Sequence, residues 1–386
     1  MAQQPGFWDF TDRLHELSAH GDPLEKLSAT VDFELFRQDL TAALGERDPS
    51  KGGHPGFDPV LKFRMLVLQT MHGLSLDQTE YLLRDRLSWM RFCGLGPGDK
   101  VPDANTLWDF REALIKANAF DALFERLNQA ITDAGYLSPF GVCMQTPTGQ
   151  RMSGQIMDAT LVAAPRQRNT ADEKARIKEG KTANEIWPEK PARARQKDTD
   201  APLSWFASKP LPGNEWTVKF TKAKPAEDGS KPVDIAIPTF GYKSHISIDR
   251  RHGIIRRSIV SDAAAHDGAR LREGLIDPAN TASAVWADTA YRSQANEDHL
   301  ERHGKVSQIH RKKPRGKPIP KRTARANAKK SAVRARVEHV FAYQKGPMGM
   351  TIRTIGLARA KAAITLANMG YNMKRWCWLN RRSAPA

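Results

Sequence analysis

Apolar positions along the first 135 residues recur at helical spacing. Val31, Phe33, Phe36, Leu40 and Leu44 form one such series, and Leu61, Met65, Leu68 and Met71 form another within PVLKFRMLVLQTMHG. Each series gathers its apolar side chains on one stripe, which predicts amphipathic helices packed against one another. Ser75, followed three residues later by Gln78, is a capping-box signature and opens the helix LDQTEYLLRDRL. Asp103 is placed to cap ANTLWDFREALIKANAF. Short helices joined by tight turns such as HGLS suit a helix-turn-helix module, a pattern that most small helical bundles share. Residues 1–135 therefore read as an all-helical N-terminal domain.

From about residue 150 the period shortens. GQIMDATLVAA, FGYKSHISIDR, GIIRRSIVSDA and SAVWADTAY are brief runs rich in Ile, Val and aromatic residues, the composition of strands. A helical stretch, HDGARLREGL, follows the third run. After the fourth come SQANEDHLERHG (helical), KVSQIHRK (strand-like) and a helix from roughly 327 to 345. Strands alternating with helices in this order predict an α/β domain over 150–380. The polar stretch 166–232 between the first two strands is too long for an ordinary loop and reads as an insertion, partly disordered. Trp187, Trp205, Phe206 and Trp216 are its candidates for docking onto a core.

Composition narrows the class. Of 386 residues, 40% are hydrophobic and 27% charged, the balance of a globular protein. No apolar run approaches the ~20 residues of a membrane helix, and MAQQPGFWDF lacks a secretory layout. Cys93, Cys143 and Cys377 are scattered and odd in number, which disfavours a disulfide framework or a zinc site and suits the cytoplasm. The formal net charge of +17 is unevenly spread: residues 1–150 carry a net −7 and the remainder +24. Between Arg302 and Val337 stand fourteen Lys or Arg and no acid. Such a field attracts polyanions, DNA above all. A solvated tail would carry the same charge, so charge alone names no chemistry.

Three acids stand out by position. Asp158 falls late in the first strand, Asp288 at the end of the fourth, and Glu338 on the helix that follows. A carboxylate buried at a strand end needs a partner or a metal. Three oxygen donors without His or Cys suit Mg²⁺ or Mn²⁺, and two such ions can drive phosphodiester displacement. On a helix of about 100° per residue, Arg334 and Lys345 share the face of Glu338, while Val333, Val337 and Val340 form a separate apolar stripe. An ordinary i,i+4 ion pair would give the same Arg334–Glu338 spacing. The histidines show no metal-ligand spacing, and Trp286 reads as core.

The words GYKSHISID, DTDA, HDG, ADTAY, VRARVEHVF and VPDANTLWDFRE stand in the order found in DDE transposases, and the chain over about 30–375 resembles the IS5 branch of the IS4/IS5-type insertion-sequence enzymes. The resemblance implies an RNase H-like catalytic domain, with an insertion after its first strand, behind the helical N-terminal domain. It places the catalytic and metal-binding triad on Asp158, Asp288 and Glu338, with two Mg²⁺ (or Mn²⁺) ions. The family's Y-x₂-R-x₃-E-x₆-K run falls on Arg334, Glu338 and Lys345, with Ser331 in place of the tyrosine. Only 49 residues separate Asp288 from Glu338, which leaves no room for a large domain inserted there.

The expected activity is cleavage at insertion-sequence ends and joining of the freed 3′-hydroxyls to target DNA. Double-stranded DNA is the expected partner, no membrane is, and a homodimer on paired ends is the expected assembly. Arg334, Lys345, Lys312, Lys313, Arg315 and Lys317 are the candidates for holding phosphates. Arg84, Arg86 and Arg91 could place charge in a groove from the N-terminal helices, which otherwise suit end recognition and contacts between chains. Two rivals remain at this stage. A structure-specific nuclease of the same fold would cut without joining, and a non-catalytic DNA-binding descendant would have no use for three converging acids.

Overall fold

The computed structural model describes residues 9–45, 56–137, 154–165, 167–199, 217–220, 236–263, 265–278, 280, 284–314 and 316–383. They divide into two compact units. The first holds the described residues up to Leu137 together with Tyr343–Gly349 and Thr365–Ser383. The second holds those from Gly154 to Ala342 together with Met350–Ile364. A boundary drawn near 135–150 from the sequence assigns 343–349 and 365–380 to the α/β domain, whereas by contact they group with the helices.

The first unit contains α1 (Asp9–Ala19), α2 (Pro23–Thr30), α3 (Arg37–Leu44), α4 (Pro59–His72), α5 (Leu76–Asp85), α6 (Leu87–Cys93), α7 (Ala104–Lys116) and α8 (Phe120–Asp133). Side-chain caps fix where these helices begin. Asp22 and Asp58 each accept an N–H two residues on, ahead of a proline in the first turn. The capping box opening α5 forms in both directions, at 3.1 Å to Ser75 Oγ and 3.0 Å to Gln78 Oε1. Asp103 caps α7 at 2.7 Å, as its position in the sequence requires. The series from Val31 to Leu44 is not one helix. Asp32 caps a 3₁₀ turn, Phe33–Phe36, before α3 starts, and Leu44 is exposed. Phe33, Phe36 and Phe63 are fully buried around that turn, each worth roughly 1.5–3 kcal/mol by burial alone. Gly73 ends α4 with φ +63°, and a Cβ there would lie 2.7 Å from the Met348 carbonyl oxygen. Asn372 donates to Asn128 at 3.1 Å, and Gln344 to Asn368 at 2.7 Å, so the C-terminal residues are built into this core.

The second unit is organised by a mixed sheet. Its strands are β1 (Gln155–Ala163), β4 (Gly241–Asp249), β5 (Ile255–Asp262), β6 (Ala284–Trp286) and β7 (Val306–Ser307), in the order β5-β4-β1-β6-β7. A separate antiparallel pair joins β2 (Thr217–Phe220) to β3 (Ala236–Thr239). β4 is buried at every position and pairs antiparallel with both β1 and β5. β6 and β7 are shorter than the runs SAVWADTAY and KVSQIHRK suggest. Asp158, paired with Ile246, faces one side of the sheet, where Val162 and Tyr242 pack on Ile352, Ala360 and Ile364. Met157 faces the other side and packs on Leu271, Leu275, Tyr291 and Leu300.

The remaining helices are α9 (Ala171–Lys178), α10 (Ala183–Ile186), α11 (Pro191–Arg195), α12 (Asp267–Arg270), α13 (Gln294–Arg302), α14 (Lys321–Lys345) and α15 (Leu357–Ser383). α9–α11 lie in the stretch read as an insertion and enclose a small core of Ile186, Trp187 and Ala194, with the Trp187 indole donating to Glu173. Trp205, Phe206 and Trp216 lie outside the described residues. α14 starts six residues before the expected 327. At the opposite end of β1, Gln155 is tied to the backbone of Asp277 by two 2.9 Å bonds. The Asp277 carboxylate pairs with Arg256 at 2.8 Å, which also reaches Asp249 at 3.5 Å.

Candidate active site

The site grows out of the parallel pairing of β1 with β6. Gln155 lies beside Val285 and Ile156 beside Trp286, and β6 then ends. Two residues beyond the paired positions on each chain stand Asp158 and Asp288, close enough that the charge of Asp288 acts on the Asp158 carboxyl. Asp158 is the fourth of nine residues in β1, not a late one as its place in the motif suggests. It stands at an edge because its neighbour has stopped. Asp288 turns the chain out of the sheet by capping the 3₁₀ turn Thr289–Tyr291, its Oδ1 accepting from Ala290 N at 2.8 Å.

The third acid arrives from α14. Val337 and Val340 are fully buried and Val333 is half-buried, which turns Glu338 outward, 57% exposed. Arg334, one turn earlier, donates through Nη1 to Asp158 Oδ2 and lies 3.3 Å from Glu338 Oε1. One guanidinium nitrogen thus joins two of the three acids. Asp158 is itself only 8% exposed, and Ala159 N–H donates to its Oδ1 at 2.9 Å. Burial pushes the Asp158 carboxyl up to about 7. Arg334 and the Ala159 amide pull it down, but the charges of Asp288 and Glu338 add to the rise. Desolvation therefore outweighs the ion pair, and the site is short of positive charge.

Two further features were not singled out from the sequence. Tyr291 is 1% exposed, and its hydroxyl has no hydrogen-bond partner among the described residues. Burial raises its phenol well above the ordinary value, and the charges of Asp158, Asp267 and Asp288 act the same way. Lys243 on β4 is buried and pairs with Asp267 at 2.9 Å, beside His245, which bonds Ser261 at 2.8 Å. Both lie in words that carried the resemblance, ADTAY and GYKSHISID, but a polar residue inside a strand run gives no other signal.

Residues 149–373, over half of the chain, match the family model described as Transposase DDE domain. This chain belongs to the DDE transposase family. Residues 12–113 match a second model, Transposase domain (DUF772), so the helical region also carries a transposase signature. No solved structure matches the chain. The transposase family acts on DNA and cuts it with divalent metal ions, usually Mg²⁺.

The donor chemistry of this transposase fits such an ion. All three acids offer hard oxygens, and Asp158 is burdened by two like charges that a cation would offset. Among the described residues, however, no three His, Cys, Asp or Glu side chains are grouped as a metal site. Arg334 supplies the countercharge instead. The guanidinium expected to hold a phosphate is thus engaged by Asp158 and Glu338.

The basic stretch is anchored to α14. Arg311 and Asn327 exchange two hydrogen bonds, at 3.1 and 3.0 Å, and Lys330 donates to the Ile309 carbonyl at 3.1 Å. Lys312, Lys313 and Lys317 are exposed on it, while Arg315 lies outside the described residues. Lys345 ends α14, exposed, in the first unit. Among the N-terminal cations, Arg91 is occupied in holding α1 and α2 through Ser18 and Asp22, and Arg84 pairs with Glu80. Arg86 lies over the Trp89 ring. Trp286 is buried beneath Arg250, as a core residue would be. No helix among the described residues is long and apolar enough to cross a membrane.

Proposed function

We propose that this transposase is an insertion-sequence enzyme of the IS5 branch with an RNase H-like catalytic domain. It binds the ends of its element, cleaves the DNA there and joins the freed 3′-hydroxyls to target DNA. The observation that carries the reading is the gathering of Asp158 and Asp288 from adjacent parallel segments, close enough that the charge of Asp288 raises the Asp158 carboxyl, with Glu338 drawn to the guanidinium that Asp158 engages. Asp158, Asp288 and Glu338 would hold two Mg²⁺ or Mn²⁺ ions, which when bound supply positive charge at the attacking and leaving oxygens. Ala159 N–H fixes one oxygen of Asp158, and the Ala290 amide fixes one of Asp288, so both carboxylates are oriented beforehand. Arg334, once released from the acids, is placed to meet a backbone phosphate.

Lys312, Lys313, Arg315 and Lys317 hold phosphates along the duplex and give most of the salt-sensitive affinity without reading sequence. Lys345 is assigned a phosphate by the family motif alone. Each chain carries one acid site and transposition joins two ends, so a homodimer on paired ends is the assembly this chemistry requires. The acidic helices of 1–135 are assigned end recognition and contacts between chains.

The test replaces Asp158, Asp288 and Glu338 singly by alanine and measures Mg²⁺-dependent cleavage of end DNA beside its binding. Each variant should lose cleavage and keep binding. Near-normal cleavage by any one of them removes that acid from the site.

A further inference from the structure

A cleft of about 350 Å³ opens on the second unit, between β5, the turn after α12, and α13. Arg257 belongs to the sheet face of Met157, because it pairs with Ser247, which pairs with Met157. The cleft is therefore on the opposite face of the sheet from Asp158. Its floor is apolar, with exposed Pro278 beside the buried side chains of Leu271 and Ile276. Its polar lining is Arg257, Arg272, His299 and His303, and no acid among the described residues lines it.

The cationic character is built in. His299 in the last turn of α13 and His303, which caps its end, stack with ring centres 4.2 Å apart, and the His303 ring is fixed by a 2.7 Å contact to the His299 carbonyl. Neighbouring acids are engaged elsewhere: Glu273 pairs with Arg270 at 2.6 Å, and Asp298 accepts from Gln294 at 2.7 Å. Asp277 approaches Arg257 only at 3.6 Å, being closer to Arg256 at 2.8 Å. Arg272 has no carboxylate within ion-pair distance among the described residues. Burial first, then the charges of His303, Arg302 and Arg272, holds the His299 imidazole below its ordinary value, as a concentration of positive charge would.

We propose that this cleft binds one nucleotide unit, its phosphate held by Arg257, Arg272 and the paired imidazoles and its base laid on Pro278 and the edge of Ile276. A bare phosphate would use the cations and leave the floor uncovered. The volume is at the lower end of the ~300–1,000 Å³ that small-molecule clefts span, the scale of one nucleotide. The nucleotide comes either free or as an unpaired unit of a DNA strand, and the two sources share this chemistry. The inference does not rest on the acid site.

The test uses the full chain in EDTA, so that cleavage is silent. Calorimetry measures inorganic phosphate, dAMP and a short single-stranded oligodeoxythymidine against wild type and the double variant Arg272→Ala, His303→Ala. Both substituted residues lie at the cleft rim, and melting curves check that the fold is kept. We expect dAMP to bind more tightly than phosphate, and the double variant to lose about tenfold or more of that affinity, as charge-assisted contacts are removed. A parallel loss for the oligonucleotide makes the strand a source. An unchanged oligonucleotide affinity leaves the free nucleotide as the ligand. Equal binding of phosphate and dAMP, no binding of any probe, or dAMP affinity indifferent to the substitutions overturns the proposal. Asp288→Ala should bind dAMP as wild type does, which separates this result from the fate of the acid site.

Discussion

Two ionic groups sit only a few residues apart on β1 and are built on opposite terms. Around Gln155, the carboxylates of Asp249 and Asp277 share the Arg256 guanidinium, and the groups of this trio are 6–9% exposed. The Gln155 side chain closes the arrangement on the Asp277 backbone and on Ser247. Around Asp158, two carboxylates likewise share one guanidinium with Asp288 close by, but Glu338 is open to solvent and Asp158 is pushed up to about 7. The first group is a fastening whose donors and acceptors meet within the fold. The second sets three acids against one guanidinium among the described residues, and an excess of charge of that kind marks chemistry more reliably than burial does.

Breaking each group should therefore have different consequences. Arg256→Ala leaves two buried carboxylates facing each other and should cost about 3–5 kcal/mol of stability, the usual penalty for removing one partner of a buried pair. Urea titration measures it, and a loss near zero would erase the contrast. Asp158→Asn should do the reverse in the metal-free chain. Between the ordinary carboxyl value of 3.8 and about 7, folded Asp158 keeps a proton that the unfolded chain has lost. Its contribution is thus fully present below 3.8 and is lost as pH rises through 7. In EDTA the wild type should lose up to about 4 kcal/mol relative to Asp158→Asn between pH 4 and 8. Parallel stability profiles for the two proteins would show that Asp158 carries no such burden. Mg²⁺ should then raise the melting temperature of the wild type and not of Asp158→Asn.

The smallest effect is expected away from both groups. Neutralising Lys312, Lys313 and Lys317 together should leave stability within about 0.5 kcal/mol, as exposed positions do. Binding to all duplexes should weaken alike, with a shallower slope of log affinity against log salt, by up to about 0.9 for each phosphate no longer neutralised. An unchanged slope would detach the stretch from DNA.

Much of this was legible in the chain before its fold. The caps at Ser75 and Asp103, and the strand runs around Asp158 and Tyr242, each express a local rule, so period and capping residues found them. α15 was missed because its middle, from Ile364 to Met373, is buried on every side and shows no polar face against which a period could stand out. The early start of α14 was missed for the opposite reason, as Lys321–Asn327 has no apolar stripe. The triad acids could be picked by position and by family resemblance, and the pairing of β1 with β6 explains the placement of two of them. The Arg334 contact to Asp158, 176 positions away in sequence, and the lone Tyr291 hydroxyl have no local signature. Nor does the grouping of Thr365–Ser383 with the N-terminal helices, since only tertiary pairs such as Asn128 with Asn372 express it.

That last grouping bears on how the chain is made. On a ribosome, α1–α8 emerge first, yet the Asn128, Met71 and Gly73 side of their core meets its partners only after more than two hundred further residues have been synthesised. The helical unit thus waits, incompletely closed, while the sheet that bears Asp158 and Asp288 assembles in between. A product stopped before α15 would carry all three acids and still lack part of the core of its other half. Synthesis through α15 is in this way written into the fold as a condition for closing the helical core.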